Sequence, residues 1–514
     1  MAKLKELISI ISSLNEDEVK TLQRYLHCFD TINEKHEPKS ERLLNLILHN
    51  NQPELKLFEK KFTKQAFSML VLRLYDKVLD TLTFDVNIKR SESYNDVSAA
   101  RMMVRKRILY TQALGSKNQI LEAVSLYQKN ITVAKEFEFY DELLIGMYEL
   151  LNVYASLSRH ADYDTLEDEI QHYEEVRSQV KRAFQMYNKY TLVRDLSPEN
   201  DSLVNELESI LPKLKTFFHL SKSAQAGWFY YRLLIEYHQE KQNYSDGYTT
   251  CLNLLKLQQE SPAIKSEMYL AITYKLLAKF SMFIYNFDDA LVSILKAQNL
   301  DKKTKHNFEL SKLTEFFANF YKGAYYEARF IVTELSESSD NEDNNFTHSK
   351  YAYYTACCYF LKGKYSDVYK NLAETKEIEK DKEGWNIAVR ILGIMNQIEN
   401  EDFDLADSRI ESMRKHIERT MKEKDIRPRF VIILRILRDL MNNAFDFKQI
   451  WETRQNYFTL LSNDADEMHR WRILSPELVR FDVWFEAKAT NRTYQEVNKE
   501  RLDGKRIEQL SKAI

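Results

Sequence analysis

Nine glycines and seven prolines in 514 residues leave this chain few places to turn sharply. Average usage over that length gives about 36 Gly and about 26 Pro. β-Hairpins, bulges and phosphate-cradling loops draw on Gly for backbone conformations that other residues resist. A chain so poor in both breakers is predicted to be all-α, with long helices joined by short polar connections. Tyr (31) and Phe (28) are abundant instead, and they suit positions between packed helices. Hydrophobic residues at 44% and charged residues at 29% describe a folded chain rather than a disordered one.

The 74 basic and 77 acidic residues leave a net charge of −3, so nothing draws the whole chain toward nucleic acid or an anionic membrane. The four cysteines (Cys28, Cys251, Cys357 and Cys358) are too few and too scattered for a disulfide framework. That points to a reduced, cytoplasmic setting. The N-terminus turns polar too early for a signal peptide. No run of 18 apolar residues offers a membrane span. The glycosylation-like triplets at Asn130, Asn345 and Asn491 are then read as chance.

Along the chain, residues 1–97 read as a helical N-terminal unit and linker. Leu4, Leu7, Ile8, Ile11 and Leu14 form a helical stripe. Asn15 and Glu18 have capping-box spacing. Ser40 is placed to cap a short helix, and Pro53 fits the first turn of the next. Residues 62–82 read as a long apolar helix, and the pattern lapses over 84–97. Residues 98–465 then become repetitive. An aromatic residue is followed three positions later by a small one at Tyr244/Gly247, Phe287/Ala290, Tyr325/Ala328, Tyr365/Val368 and Phe403/Ala406. Successive instances lie 43, 38, 40 and 38 residues apart. Weaker echoes occur at Leu121–Ala123 and Tyr163. Residues 429–440 and 450–461 read as one more pair, and 336–345 as an acidic surface loop. Residues 466–514, with Trp471 and Trp484, read as a C-terminal helical cap.

This pattern resembles the tetratricopeptide repeat (TPR). The Gly-x-Tyr-x-x-Ala turn of that family is visible at Gly323, Tyr325 and Ala328. It recurs at Gly363, Tyr365 and Val368, with Ala356 and Tyr359 at its small and aromatic first-helix positions. In such repeats the small residue lets the second helix approach the first, while the aromatic fills the gap to the next pair. The period here is nearer 40 than the family's 34, so helices or loops are longer. The resemblance implies a right-handed superhelical solenoid of antiparallel helix pairs, clearest over 226–420. It also implies a binding groove on the first helices. The family's groove positions fall on Arg232, Glu236 and Gln239, then on Lys275 and Lys279, and later on Lys350 and Tyr353. Other repeats place Leu313, Phe317, Phe320, Ile391 and Met395 there. A peptide or partner helix with an acidic end and an apolar anchor suits such a groove. Alternatively, the chain's own terminal helices cover its apolar half.

Catalytic signatures are absent. There is no dinucleotide-binding glycine pattern, no P-loop, no H-E-x-x-H, no C-x-x-C and no G-x-S-x-G. No two of the 11 histidines stand four residues apart. No metal, no cofactor and no enzymatic activity are expected. Adjacent Cys357 and Cys358 diverge by about 100° on a helix, so they read as buried structural residues. Arg101, Arg105, Lys106 and Arg107 form the densest basic cluster, a candidate patch for phosphate or an acidic partner. The weightier reading is a solvated helix face, with Met102, Met103, Ile108 and Leu109 inward. Residues 40–80 have a helix-turn-helix-like layout whose third helix carries Lys64, Arg73 and Lys77. Its apolar residues on most sides suit a buried helix better.

Two functions compete. The first is a scaffold or adaptor binding a protein or peptide in the groove. The second is a peptide-responsive regulator whose N-terminal unit binds nucleic acid or an effector protein. Its layout resembles bacterial peptide-pheromone receptors.

Overall fold

The computed structural model describes residues 2–28, 38–84, 96–196, 200–300, 305–338, 345–377, 381, 384–421, 427–462, 466 and 468–511. Among them every regular element is helical. The chain forms two compact units, Met1–Val133 and Ala134–Ile514.

The first unit holds α1 (Ala2–Ser13), α2 (Glu16–His27), α3 (Lys39–Leu48), α4 (Gln52–Glu59), α5 (Lys64–Phe84) and α6 (Asp96–Ser116), and the start of α7 (Ile120–Glu136). The capping box forms as its spacing predicts. The Asn15 side chain accepts from the Asp17 and Glu18 amides, and Glu18 accepts from the Asn15 amide. Such a cap contributes about 1 kcal/mol. Ser40, expected to cap α3, lies inside it; Pro38 holds the cap position without a side-chain hydrogen bond. Helix α5 is not buried on most sides. It packs Phe67, Leu70, Val71, Leu74 and Val78 against Leu7, Ile11, Leu22 and Leu43. Its other side exposes Met69, Leu72, Leu79 and Leu82. The reason is that α1, α2 and α3 pack on one side of it only. The lapse in pattern over 84–97 falls mostly on residues 85–95, outside the described residues.

The second unit opens with α8 (Tyr140–Ser156), α9 (His160–Leu196) and α10 (Asn200–Ser221). Five helix pairs follow. They are α11 (Ala224–Glu240) with α12 (Tyr244–Glu260), α13 (Glu267–Phe283) with α14 (Phe287–Leu300), and α15 (Lys305–Lys322) with α16 (Tyr325–Ser338). Then come α17 (Asn345–Phe360) with α18 (Tyr365–Ala373), and α19 (Trp385–Glu399) with α20 (Phe403–Met421). Of the acidic loop expected at 336–345, 336–338 finish α16, Asn345 begins α17, and 339–344 lie outside the described residues. Next is α21 (Pro428–Asn442). Its expected partner is split at Arg454 into α22 (Phe447–Thr453) and α23 (Gln455–Ser462). Helices α24 (Phe481–Ala489) and α25 (Tyr494–Ser511) follow.

The turns explain how the array closes with so little glycine. Each of the five pairs reverses through one left-handed residue: Gln242 (φ 58°), Tyr285 (60°), Gly323 (90°), Gly363 (67°) and Glu401 (59°). The amide after each reaches back to the last turn of the first helix, as Asn243 N does to His238 O at 2.8 Å and Asp402 N to Gln397 O at 3.0 Å. This bond satisfies helix-end carbonyls that would otherwise lack a partner. The repeating aromatic always lies two residues beyond the left-handed residue and opens the second helix. The small residue three positions further is buried in every pair. At Gly247 even a methyl group is excluded, because a Cβ there would lie 2.1 Å from Cε1 of Phe280.

One continuous core joins Phe316, Tyr353, Cys357, Ile391, Met395, Ile433 and Leu437 of the first helices to Trp471, Phe481, Trp484 and Phe485. The segment read as a terminal cap therefore also supplies central core residues.

Candidate functional site on the first-helix face

The first helices of the pairs present two chemically different stretches. On the apolar stretch, residues 468–480 run as an irregular strap. Arg470 donates to the Gln242 side chain in the turn after α11. Trp471 meets the ring of Tyr321 edge-on at 5.7 Å, and the Leu474 amide donates to the Tyr321 hydroxyl at 2.9 Å. The Tyr353 hydroxyl on α17 donates to the Pro476 carbonyl at 2.8 Å. Beyond the strap, Trp484 Nε1 donates to Glu399 Oε1 at the end of α19 at 2.6 Å. The chain's own C-terminal segment thus occupies this stretch.

A buried charge network fastens it. Arg429 of α21 pairs with Glu477 and with Asp482, and Asp482 also takes Arg480 and Arg501. Burial alone would raise the Asp482 carboxyl; the guanidiniums of Arg480, Arg429 and Arg501 override it and hold the group far below the usual carboxylate range. Burial would likewise lower the Arg429 value, and Glu477 and Asp482 raise it instead.

The polar stretch lies on α9, α11 and α13. Arg194 of α9 bonds Glu236 of α11 at 3.0 Å, and Arg232 stands 3.7 Å from the same carboxylate oxygen. Lys279 of α13 donates to Gln239 Oε1 at 2.9 Å. Tyr190 is buried beneath, its phenol pushed well above its ordinary value by burial first and Glu236 second. Burial also holds the Lys279 ammonium below its ordinary value, against the pull of Glu240 and Glu236. Arg232 is the unusual member. Its Nε and Nη1 are buried and have no hydrogen-bond partner among the described residues. A buried donor left unsatisfied costs about 1–3 kcal/mol, more when charged.

The expected groove residues therefore separate. Arg232, Glu236, Gln239 and Lys279 come together, and Lys275 is half-buried one turn before Lys279. Tyr353 does not line an open groove. It is 2% exposed, because the strap covers it. Phe320, Ile391 and Met395 are buried too. Lys350 lies against the rings of Phe346 and Trp385, at 4.2 Å and 4.5 Å. Tyr190 and Arg194 lie outside the expected set, because the clear helix-pair spacing begins only at Tyr244.

Elsewhere, Arg101, Arg105, Lys106 and Arg107 all lie on α6, but only Arg105 is exposed. Val104 and Ile108 face inward, whereas Leu109, expected inside, is exposed. On α5, Asp76 and Asp80 alternate with Arg73 and Lys77, so no basic stripe forms. Burial pushes the Cys357 and Cys358 thiols far above their ordinary range, and both are free of disulfides. Such thiols are poor nucleophiles. Among the described residues, no group of His, Cys, Asp and Glu could hold a metal ion, and no helix is long and apolar enough to cross a membrane.

No family model matches the sequence, and neither does any curated protein. Among solved structures, the apo form of the quorum sensor NprR from B. thuringiensis aligns with TM-score 0.42 and 16% identity, over 74% of this chain and 99% of that one. A signal transduction ATPase with numerous domains from Pyrococcus horikoshii, which carries a tetratricopeptide repeat sensor, gives TM-score 0.42 and 12% identity over 82% of this chain and 64% of that one. By its own geometry the chain is an all-α, TPR-like array in which a left-handed turn, an aromatic helix start and a buried small residue recur together.

Proposed function

We propose that this chain is a cytoplasmic binding protein, a scaffold or adaptor rather than an enzyme. The polar stretch of its first-helix face receives a protein or peptide through an acidic group. Arg232 carries this reading: it holds two buried N–H donors without acceptors, between Arg194 and Lys279. A carboxylate is the acceptor a guanidinium fork suits best. The strap covers Tyr353 and Tyr321 and leaves the helix faces of Arg232, Glu236 and Lys279 outside its contacts with those rings.

A synthetic peptide array probed with the full chain tests the proposal. Peptides with Asp, Glu or a free C-terminal carboxylate should be enriched. Arg232→Gln should weaken the best of them at least tenfold in fluorescence anisotropy, about 1.4 kcal/mol. Enrichment without acidic preference, or unchanged affinity in the variant, overturns it.

The second reading, a regulator acting through its N-terminal unit, gains one observation. The exposed Met69, Leu72, Leu79 and Leu82 on α5 favour a protein effector over nucleic acid. Binding to random-sequence duplex DNA in a gel shift would reverse that preference.

A further inference from the structure

Away from the first-helix face, a pocket of about 330 Å³ opens between α18, α19 and α20. That volume lies in the range of small-molecule sites. Its walls divide by chemistry. Leu372 and Val389 give an apolar side, while Arg390 and Arg409 bring two guanidiniums from neighbouring helices. Arg390 is held in place: its Nη1 reaches Ser412 Oγ at 3.4 Å, and its Nη2 pairs with Glu377.

Arg409 differs. Among the described residues it has no hydrogen bond and no ion pair. Its guanidinium instead rests on the backbone of α19 at Gly393, where an added Cβ would lie 2.6 Å from Nη1. A glycine inside a helix costs about 1 kcal/mol relative to alanine. Here the missing Cβ leaves the space that Nη1 of Arg409 takes up. Gly393, one of several glycines inside helices, thus lies beneath an unpaired cation in a pocket. Nearby, burial first and then Arg390 hold the His416 imidazole below its ordinary value, against Glu377 and Asp381.

We propose that this pocket binds a small phosphate monoester, with its phosphoryl group between Arg390 and Arg409 and its apolar body against Leu372 and Val389. A doubly charged phosphoryl group matches two forked guanidiniums, and Glu377, itself 60% exposed, can swing into solvent when the ligand takes over Arg390. Thr375 and Ser412 add hydroxyls at the rim.

Isothermal titration of the full chain with phenyl phosphate, inorganic phosphate and phenol tests this. Phenyl phosphate should bind at least tenfold more tightly than inorganic phosphate, and phenol should not bind. Arg409→Gln should weaken phenyl phosphate at least tenfold. Lys415→Gln, which removes an exposed charge outside the pocket, should leave it unchanged. Gly393→Ala keeps the charge but displaces the guanidinium, and should weaken binding as Arg409→Gln does while the melting curve still shows a folded protein. The proposal falls if phenyl phosphate does not bind at millimolar concentration, or if phenol binds as well. It also falls if Lys415→Gln costs as much as Arg409→Gln, or if only a phosphopeptide binds.

Discussion

The guanidinium of Arg429 forks onto the carboxylate of Glu477, Nε to Oε2 at 2.6 Å and Nη2 to Oε1 at 2.8 Å, with both side chains almost wholly buried. The pair ties a first helix of the array to the strap. Burying two charges is itself costly, so such a pair contributes little net stability over an apolar replacement. Removing one partner is another matter, because the other is left charged in the interior. Glu477→Gln should destabilise the second unit by about 3–5 kcal/mol in urea unfolding. A loss under about 1 kcal/mol would mean that water reaches Arg429.

Asp482 sets the acid limit of the same network. Its carboxyl is held below its unfolded value, since the pull of Arg480, Arg429 and Arg501 exceeds the opposing effect of burial. Its contribution is therefore complete above the unfolded value of about 3.9 and is lost as pH falls through that value toward the folded one. The urea midpoint of the native chain should hold steady from about pH 7 to about pH 5 and then drop. Asp482→Asn should lower the midpoint at neutral pH and flatten the acid limb. An acid limb as steep in Asp482→Asn as in the native chain would assign the acid loss to other carboxylates.

Tyr353→Phe removes the hydroxyl that donates to the Pro476 carbonyl. It leaves the ring packing and removes one of two donors to that carbonyl, which keeps the Leu478 amide at 2.9 Å, so the loss should be about 0.5–1.5 kcal/mol. The loss should be local. Hydrogen exchange should quicken across 470–480 while α13 and α14 keep their protection. Uniform quickening throughout the second unit would show that the strap and the array open as one body.

Two glycines test space against conformation. Gly247→Ala drives a methyl group into Phe280, and overpacking of this kind costs about 1–3 kcal/mol or more. At Gly323 nothing lies within 4 Å, but φ is +90°. Gly323→Ala should cost about 1–2 kcal/mol through backbone conformation alone. Adding Phe280→Leu should recover part of the first loss and none of the second. Thermal melts of the four proteins would separate the two causes.

The helix pairs were legible because their packing signal is local. An aromatic such as Phe287 and its small partner Ala290 sit three residues apart on one helix face. The turns were only half legible. Gly323 and Gly363 announce a left-handed residue, but Gln242, Tyr285 and Glu401 adopt the same conformation without any compositional cue. The strap could not be read at all. Residues 468–480 have no helical period, and the partners that order them are as distant in sequence as Gln242 and Tyr321. For the same reason Tyr353 looked like an open groove position: its helix register is visible in the sequence, and its cover is not. Arg194 was hidden because α9, a helix of 37 residues, precedes the first clear helix pair.

The strap also imposes an order on biosynthesis. Tyr321 leaves the ribosome 153 residues before the Leu474 amide that will meet it. At about 5–20 residues per second, the apolar faces of α15 and α17 wait roughly six to thirty seconds for their cover. During that interval the nascent chain presents a water-exposed hydrophobic surface, the kind of substrate that chaperones bind. Elongation rate and chaperone supply then become determinants of yield for a protein whose finished surface gives no hint of either.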